Sequence, residues 1–162
     1  MAMALMASPA GDSPNSYKRF PEAVAVYEDC KGSVNMSTFL QDWINWYGEE
    51  SAVQMCLIAW AEARFDWYAV GDDGDSIGMF QINMPAGHCE KVEGIVGRQL
   101  VFPVNDEKGR FLRWDYSQCK EALFDPVVNI SVARQLYEAQ GWTPWSGRKA
   151  YLPSFRADWI TI

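Results

Sequence analysis

The chain has 162 residues, 49% of them hydrophobic, and carries a formal net charge of −7 at pH 7. This length predicts one domain with a sizeable hydrophobic core. The acidic balance offers none of the basic surface that nucleic acids require, so we expect no nucleic-acid partner. The sequence contains no apolar run of about 18 residues, which argues against insertion into a membrane.

Residues 1–16 are predicted to form an N-terminal arm that is flexible or bound to a partner. The first ten residues are rich in methionine and alanine but lack the positive charge that begins a signal peptide. A secretion signal is the alternative interpretation. The domain itself is expected to occupy residues 17–162.

Two helices are predicted at the start of the domain. The first ends near Gly32, and Thr38 with Gln41 fits the capping box of the second. Apolar residues repeat at helical spacing along the second helix. We expect its two tryptophans, Trp43 and Trp46, to be core residues rather than a surface for sugars.

A third helix contains the first candidate catalytic residue, Glu62. Ser51 with Gln54 fits a capping box, and the apolar residues at 53 and 55–61 cover every side of the helix, which predicts that it is buried. One stripe of the helix comprises Met55, Ile58, Glu62 and Phe65. Loss of hydration in such a stripe raises the pKa of a carboxylate, so that it can hold and donate a proton near neutrality. The alternative is an exposed glutamate paired with a cation.

A glycine-rich and acidic segment follows this helix. Residues 72–75 favour a tight hairpin turn, and residues 78–83 form the compact block GMFQIN. The carboxylates of Asp72, Asp73 and Asp75 offer a calcium site as an alternative. Their spacing does not match the loop that usually binds calcium, so we expect turn chemistry and no metal.

Residues 62–65, 69–70 and 75–83 together resemble the lysozyme-like soluble lytic transglycosylase family. That family has E-S-x-F, a spacer, and then G-(L/M)-(M/F)-Q-I-(M/N); here Ala63 replaces the serine. The block is also similar to the Gly-x-x-Gln-Ile-Asn of animal lysozymes. The later Tyr-Asn-Ala-Gly motif of the family is absent, so its substrate-contacting tyrosine has no counterpart here.

The resemblance implies a role for several residues. Glu62 would be the general acid and base, Gln81 and Asn83 would contact substrate in the cleft, and Ser76 would lie near it. Ser76 stands where animal lysozymes have their second carboxylate, and Asp75 beside it is a possible secondary carboxylate. The transglycosylases lack that carboxylate and use the N-acetyl group of the substrate as nucleophile.

The four cysteines allow three complete disulfide pairings, and all four would be reduced in a cytoplasm. They are Cys30, Cys56, Cys89 and Cys119. Cys56, within the buried helix, would behave as a small hydrophobic residue if it is free. The lysozyme resemblance places Cys89 where one bridged cysteine would lie. His88, Cys89 and Cys119 lack the spacing of a zinc site, so no metal is expected there.

Residues 84–124 carry no resemblance to the family. Residues 100–114 predict a β-hairpin, with Pro103 in an edge strand. This segment would either shape a groove or serve as structural filler.

The last predicted element is a helix capped by Asp125, with Pro126 at its first position and Gly141 at its end. Its start resembles the late helix of the family. Trp145 is a candidate for stacking on a sugar ring, with Trp142 a weaker one. The alternative for each is a core position.

These observations predict a mainly helical α+β protein with a lysozyme-like fold and a small β-hairpin beside the cleft. The function implied by the resemblance is cleavage of the β-1,4 bond between N-acetylmuramic acid and N-acetylglucosamine in peptidoglycan, without a cofactor. The family's use in phage tails implies a virion-associated protein, or one delivered to the periplasm, whose N-terminal arm contacts other tail proteins. The alternatives are a hydrolytic lysozyme and an inactive, lysozyme-like structural virion component.

Overall fold

The computed structural model describes residues 16–145. The predicted arm, apart from Ser16, lies outside the described residues, as does the end of the domain from residue 146. The described part is mainly helical with two small antiparallel sheets, which confirms the expected α+β class. No helix within residues 16–145 combines the length and apolar character needed to span a membrane.

The elements follow one another with short connections. The helices are α1 (Pro21–Gly32), α2 (Ser37–Tyr47), α3 (Glu49–Ala63), α4 (Cys89–Val96), α5 (Ser117–Leu123) and α6 (Pro126–Gln140). The strands are β1 (Val70–Gly71), β2 (Ser76–Ile77), β3 (Ile82–Asn83), β4 (Phe102–Asn105) and β5 (Phe111–Asp115). Strands β1, β2 and β3 form one antiparallel sheet in that order, and β4 and β5 form the other.

Helix α3 lies at the centre of the first half, where α1 and α2 pack against it. The prediction of a buried helix is confirmed from Ser51 to Ala59, where every side chain except that of Gln54 is buried. The predicted capping box is wrong. The helix begins at Glu49 after Gly48, whose φ of 87° lets the chain turn sharply out of α2, and no side chain caps it.

Ser51 and Gln54 instead bind aromatic side chains from other parts of the chain. The indole Nε1 of Trp43 donates to Ser51 Oγ at 3.1 Å, and Ser51 Oγ donates to the Tyr137 hydroxyl at 3.0 Å. Trp142 Nε1 donates to Gln54 Oε1 at 2.7 Å. These bonds satisfy polar groups that would otherwise be buried without partners.

Two predictions for α2 are also wrong. Thr38 and Gln41 form no capping box, because α2 starts at Ser37 without a side-chain cap, and Gln41 donates to Asn45. Trp43 is fully buried as expected, but Trp46 is about half exposed and covered by the guanidinium of Arg134, 4.0 Å from the ring centroid. A cation over an indole face stabilises such an exposed ring.

Both pairs of cysteines form disulfides. Cys30 on α1 is bonded to Cys56 on α3, and Cys89 on α4 to Cys119 on α5. Cys56 is therefore not a free core thiol. Neither Cys89 nor Cys119 is available as a zinc ligand, because a disulfide sulfur is not a thiolate.

The segment from residue 84 to 124 contains the predicted hairpin, β4–β5, in which Pro103 lies opposite Trp114. It also contains α4 and α5, which the sequence did not predict. Both helices are short, and α4 has a glycine in its interior and ends at Gly97, so periodicity gives little signal there. The disulfide between the two helices contributes stability that their helix propensity does not supply.

Candidate active site

Glu62 lies at the point where α3 emerges from the core. It is half-buried and is the second-last residue of the helix. The helix ends because Arg64 and Phe65 take left-handed backbone conformations, with φ of 52° and 63°. Phe65 therefore lies beyond the helix and does not extend the stripe of Met55, Ile58 and Glu62, contrary to the prediction.

The chain that follows Glu62 is held in place by Asn35, in the connection between α1 and α2. Asn35 Nδ2 donates to the carbonyl oxygen of Phe65 at 2.8 Å, and the indole of Trp67 donates to the Asn35 carbonyl at 3.2 Å. The Arg64 guanidinium lies 3.4 Å from the centroid of the Trp60 ring. These contacts fix the helix end that carries Glu62.

The acidic turn joins β1 to β2, as predicted. Asp72 and Asp73 both have positive φ, and Asp72 Oδ2 accepts a 2.5 Å hydrogen bond from Ser76 Oγ. Asp75 is exposed at the end of the turn. Within residues 16–145, no three His, Cys, Asp or Glu side chains lie close enough to hold one metal ion.

Ser76 and Asn83 lie side by side in the sheet. Their Cα atoms are register partners of β2 and β3, and Asn83 Nδ2 donates to Ser76 Oγ at 3.2 Å. Asn83 Oδ1 accepts from the backbone N–H of Ala86 at 3.0 Å. Since Ser76 is only 2% exposed, its hydroxyl positions Asn83 and Asp72 in this structure and does not face solvent.

The amide of Gln81 is fixed over the same sheet. Gln81 has a φ of 48°, and its Nε2 donates to the Gly78 carbonyl at 2.9 Å. A Cβ added at Gly71 would lie 2.2 Å from Gln81 Oε1. Position 71 therefore has to be glycine for the Gln81 side chain to lie across β1.

Asn129 is the residue of this region that the sequence reasoning missed. Its side chain is fully buried on α6; Oδ1 accepts from Phe80 N at 3.3 Å, and Nδ2 donates to the carbonyls of Ile77 and Leu123, both at 3.0 Å. One amide thus ties α6 to the turn that precedes β3. The available signal was an asparagine within the apolar face of a helix, which requires buried partners.

Trp145 supports the same turn from the other side. Its indole donates to the Phe80 carbonyl at 2.8 Å, its ring meets that of Phe80 edge to face, and only 5% of its surface is exposed. Its ring face is therefore packed against protein in this structure. Trp142 is buried as well.

Three of the four predicted substrate contacts line one small pocket. Gln81, Asn83 and Trp145 surround about 60 Å³ together with His88 and Pro144. This volume suits a substituent or a few waters rather than a whole sugar ring. Glu62 and Ser76 are not among its lining residues.

His88 brings a titratable group to this pocket. Partial burial lowers the pKa of His88 below its usual value of 6.5, and the positive charge of Lys91 lowers it further. The imidazole is therefore biased towards its neutral form, which can both donate and accept a hydrogen bond.

Comparisons of the chain with models of protein families, with curated protein sequences and with solved structures gave no match. The structure thus presents a half-buried carboxylate at a helix end and, at a pocket that Glu62 does not line, two fixed side-chain amides beside a short sheet. A carboxyl group in that position can exchange a proton with a bound molecule, and the amides can orient polar substituents.

Proposed function

We propose that this chain is a lysozyme-like glycosidase that cleaves the β-1,4 bond between N-acetylmuramic acid and N-acetylglucosamine in peptidoglycan. The observation that carries the proposal is the half-buried Glu62 at the end of a buried helix, followed directly by the sheet that presents the GMFQIN block. The hydrogen bonds of Asn129 and Trp145 to Phe80 support it, because they hold that block rigidly.

In the first step, protonated Glu62 donates its proton to the glycosidic oxygen as the bond to the anomeric carbon breaks. The carbonyl oxygen of the sugar's own N-acetyl group forms a bond to that carbon and neutralises the developing positive charge. This route needs no second carboxylate, in agreement with a serine at position 76. Gln81 and Asn83 would orient the sugar through their fixed amides.

In the second step, ionised Glu62 removes a proton from the C6 hydroxyl of the same sugar. That oxygen attacks the anomeric carbon, displaces the acetamide oxygen and closes a 1,6-anhydro ring. Attack by water would give a hydrolytic product through the same first step. The internal hydroxyl is favoured by proximity, because no second molecule has to be captured.

The two disulfides support a site of action outside a reducing cytoplasm, since such bonds persist in the periplasm and on virions. The acidic net charge provides no attraction to an anionic wall. Delivery by a larger assembly such as a phage tail would compensate for that deficit.

The proposal predicts that Glu62→Gln lowers the rate of peptidoglycan digestion by at least about 100-fold, the scale of general acid catalysis. The amide retains the shape of the carboxyl group but cannot supply the proton. Asp75→Asn, the matched change at the exposed carboxylate of the turn, should retain most of the activity. A folded Glu62→Gln protein with near-normal digestion would contradict the role of Glu62, and equal losses in both variants would favour a two-carboxylate lysozyme.

The product provides an independent prediction. Digestion of purified peptidoglycan should leave 1,6-anhydromuramic ends, which are lighter than hydrolysed ends by one water. Mass spectrometry of the released muropeptides measures the ratio of the two. If only hydrated reducing ends appear, water takes the second step and the protein is a hydrolase, while the role of Glu62 in the first step is unaffected.

A further inference from the structure

A larger pocket lies outside the site described above, in the segment that carries no family resemblance. It has a volume of about 390 Å³, which falls in the range of small-molecule sites. The segment before α4, α4 itself, the chain after it, and residues at and just beyond the end of β5 form its walls. Its chemically distinctive lining residues are Glu90, Glu93, Gln99, Val101, Trp114 and Tyr116.

The charged side chains that line this pocket are both acidic. Glu90 and Glu93 are three residues apart on α4 and therefore share one face of the helix. No lysine or arginine is among the residues of the described chain that line the pocket. A bound anion would thus face two carboxylates without a compensating cation.

The carboxylate of Glu93 is held in a defined position. Its Oε1 accepts the backbone N–H groups of Leu100 at 2.7 Å and Val101 at 3.1 Å, and Leu100 is fully buried. Both of these bonds use Oε1, so Oε2 retains its capacity to accept a further hydrogen bond. The wall of the pocket therefore includes an immobilised negative charge.

Another part of the lining is aromatic. Trp114 is 49% exposed although its side chain is large and apolar, and Tyr116 lies two residues further along and is half-buried. Phe111 packs against Trp114 with 5.2 Å between the ring centroids and stabilises the orientation of the indole. The face of an indole attracts a cation more strongly than that of any other aromatic side chain.

We propose that this pocket binds an alkylammonium group between the carboxylates of Glu90 and Glu93 and the rings of Trp114 and Tyr116. A cation suits both parts of the lining: the carboxylates accept its N–H groups or balance its charge, and the rings contact its carbon atoms. A neutral apolar ligand would cover the carboxylates without pairing them. The group would come from a free amine or from the amine of a wall peptide, and the second source rests on the proposed function.

The first experiment titrates ¹⁵N-labelled protein with n-butylammonium chloride and follows the indole N–H signal of Trp114, assigned from its absence in Trp114→Leu. We expect a saturable shift that neither sodium chloride nor 1-butanol, the neutral isostere, reproduces. Glu93→Gln keeps an oxygen for the two backbone N–H groups and should weaken binding about tenfold or more. Glu90→Gln provides a second test of the charge, and Glu107→Gln, in the exposed turn of the hairpin, is the control that should bind normally.

Three results would overturn the proposal. One is no saturable shift in folded wild-type protein up to about 0.1 M ligand, where even a weak site responds. Another is an equal response to 1-butanol, which would mark an apolar pocket. The third is a response to N-acetylglucosamine in place of butylammonium, which would mark a sugar subsite.

A second experiment separates the two sources of the ammonium group. The Glu62→Gln protein is titrated with muropeptides that carry a free side-chain amine and with the same muropeptides after N-acetylation. Binding that is lost on acetylation identifies the wall peptide as the source of the ammonium group. Equally weak binding of both forms identifies a free amine as the source instead. If the wild-type protein digests peptidoglycan but does not bind butylammonium, this inference alone is refuted. If it binds butylammonium but does not digest peptidoglycan, the proposed function alone is refuted.

Discussion

At position 78 the backbone has a φ of +77°, and an added Cβ would lie 2.3 Å from Asn129 Nδ2 and 3.1 Å from the Leu123 carbonyl. Both the conformation and the space therefore require glycine. Asn129 is in turn fully buried and uses its amide to hold the backbone on each side of this residue. Gly78 and Asn129, which are 51 positions apart, thus constrain each other's identity.

We expect Gly78→Ala to lower the free energy of unfolding by about 1–3 kcal/mol, the cost of a strained backbone at a packed position. Gly94→Ala is the matched control, because Gly94 is exposed within α4 and its added Cβ would have nothing within 4 Å. That change should raise the stability by about 0.5–1 kcal/mol through helix propensity. Urea denaturation at pH 7 measures both, and equal effects of the same sign would refute the explanation.

His88 is the single histidine of the chain, and its pKa in the folded protein lies below 6.5 because of burial and the charge of Lys91. As the pH falls through the unfolded-state pKa, the unfolded chain binds a proton before the folded protein does. His88 therefore contributes stability above about pH 6.5, and this contribution is lost as the pH falls to the folded pKa.

We expect the difference in stability between wild type and His88→Asn to shrink as the pH falls from about 7.5 to about 5.5. Urea denaturation at intervals of pH gives this difference directly. Because both proteins contain the same carboxylates, the contribution of carboxylate titration cancels in the difference. Lys91→Gln should reduce the pH dependence without removing it. A difference in stability that is constant across this range would show that folding does not lower the pKa of His88.

At the scale of elements, α3 illustrates how tertiary contacts override a local pattern. Ser51 and Gln54 have the spacing of a capping box, but both lie inside the helix and bind Tyr137 and Trp142, which are 86 and 88 residues away. The buried hydroxyl of Ser51 and the buried indole N–H of Trp142 need partners more than a helix end needs a cap, because an unsatisfied buried group costs about 1–3 kcal/mol. Water or a turn can satisfy a helix end instead.

The disulfides join helices in pairs, α1 to α3 and α4 to α5. Their sequence separations are 26 and 30 residues, so the entropy of loop closure is nearly the same for both. Replacing either pair by alanines should lower the free energy of unfolding by about 3–4 kcal/mol. Urea denaturation of the two double variants measures the losses. Free thiols in protein purified without a reducing agent, or unchanged stability of the variants, would contradict the assignment.

Across the whole molecule, a series of aromatic contacts connects α2 to the candidate site. Trp43 stacks on Trp142, Trp142 meets Trp145, and Trp145 meets Phe80, with ring centroids 5.5–6.2 Å apart. The turn carrying the GMFQIN block is thus attached to the core and not only to its own sheet. Rigid support of this kind is what a site requires for fixed geometry.

The sequence by itself determined the elements whose signal is local. The apolar run of α3, the Asp125 cap of α6, the acidic turn before β2 and the hairpin β4–β5 follow from periodicity and turn chemistry within a few residues. It also placed Glu62 at a helix end and Gln81 and Asn83 after a turn, although their role in catalysis is still a prediction. The short helices α4 and α5 carried too weak a pattern to be found.

Only the tertiary structure decided which distant groups meet. It selected one of three cysteine pairings, assigned Ser51 and Gln54 to buried indoles and a phenol, and placed the indole of Trp145 against the backbone of Phe80, 65 residues away. It also revealed Asn129 as the amide that holds the site turn. The physical reason is that the role of a buried polar or aromatic group depends on the groups that it contacts. No local pattern in the chain predicts a partner that lies many residues away.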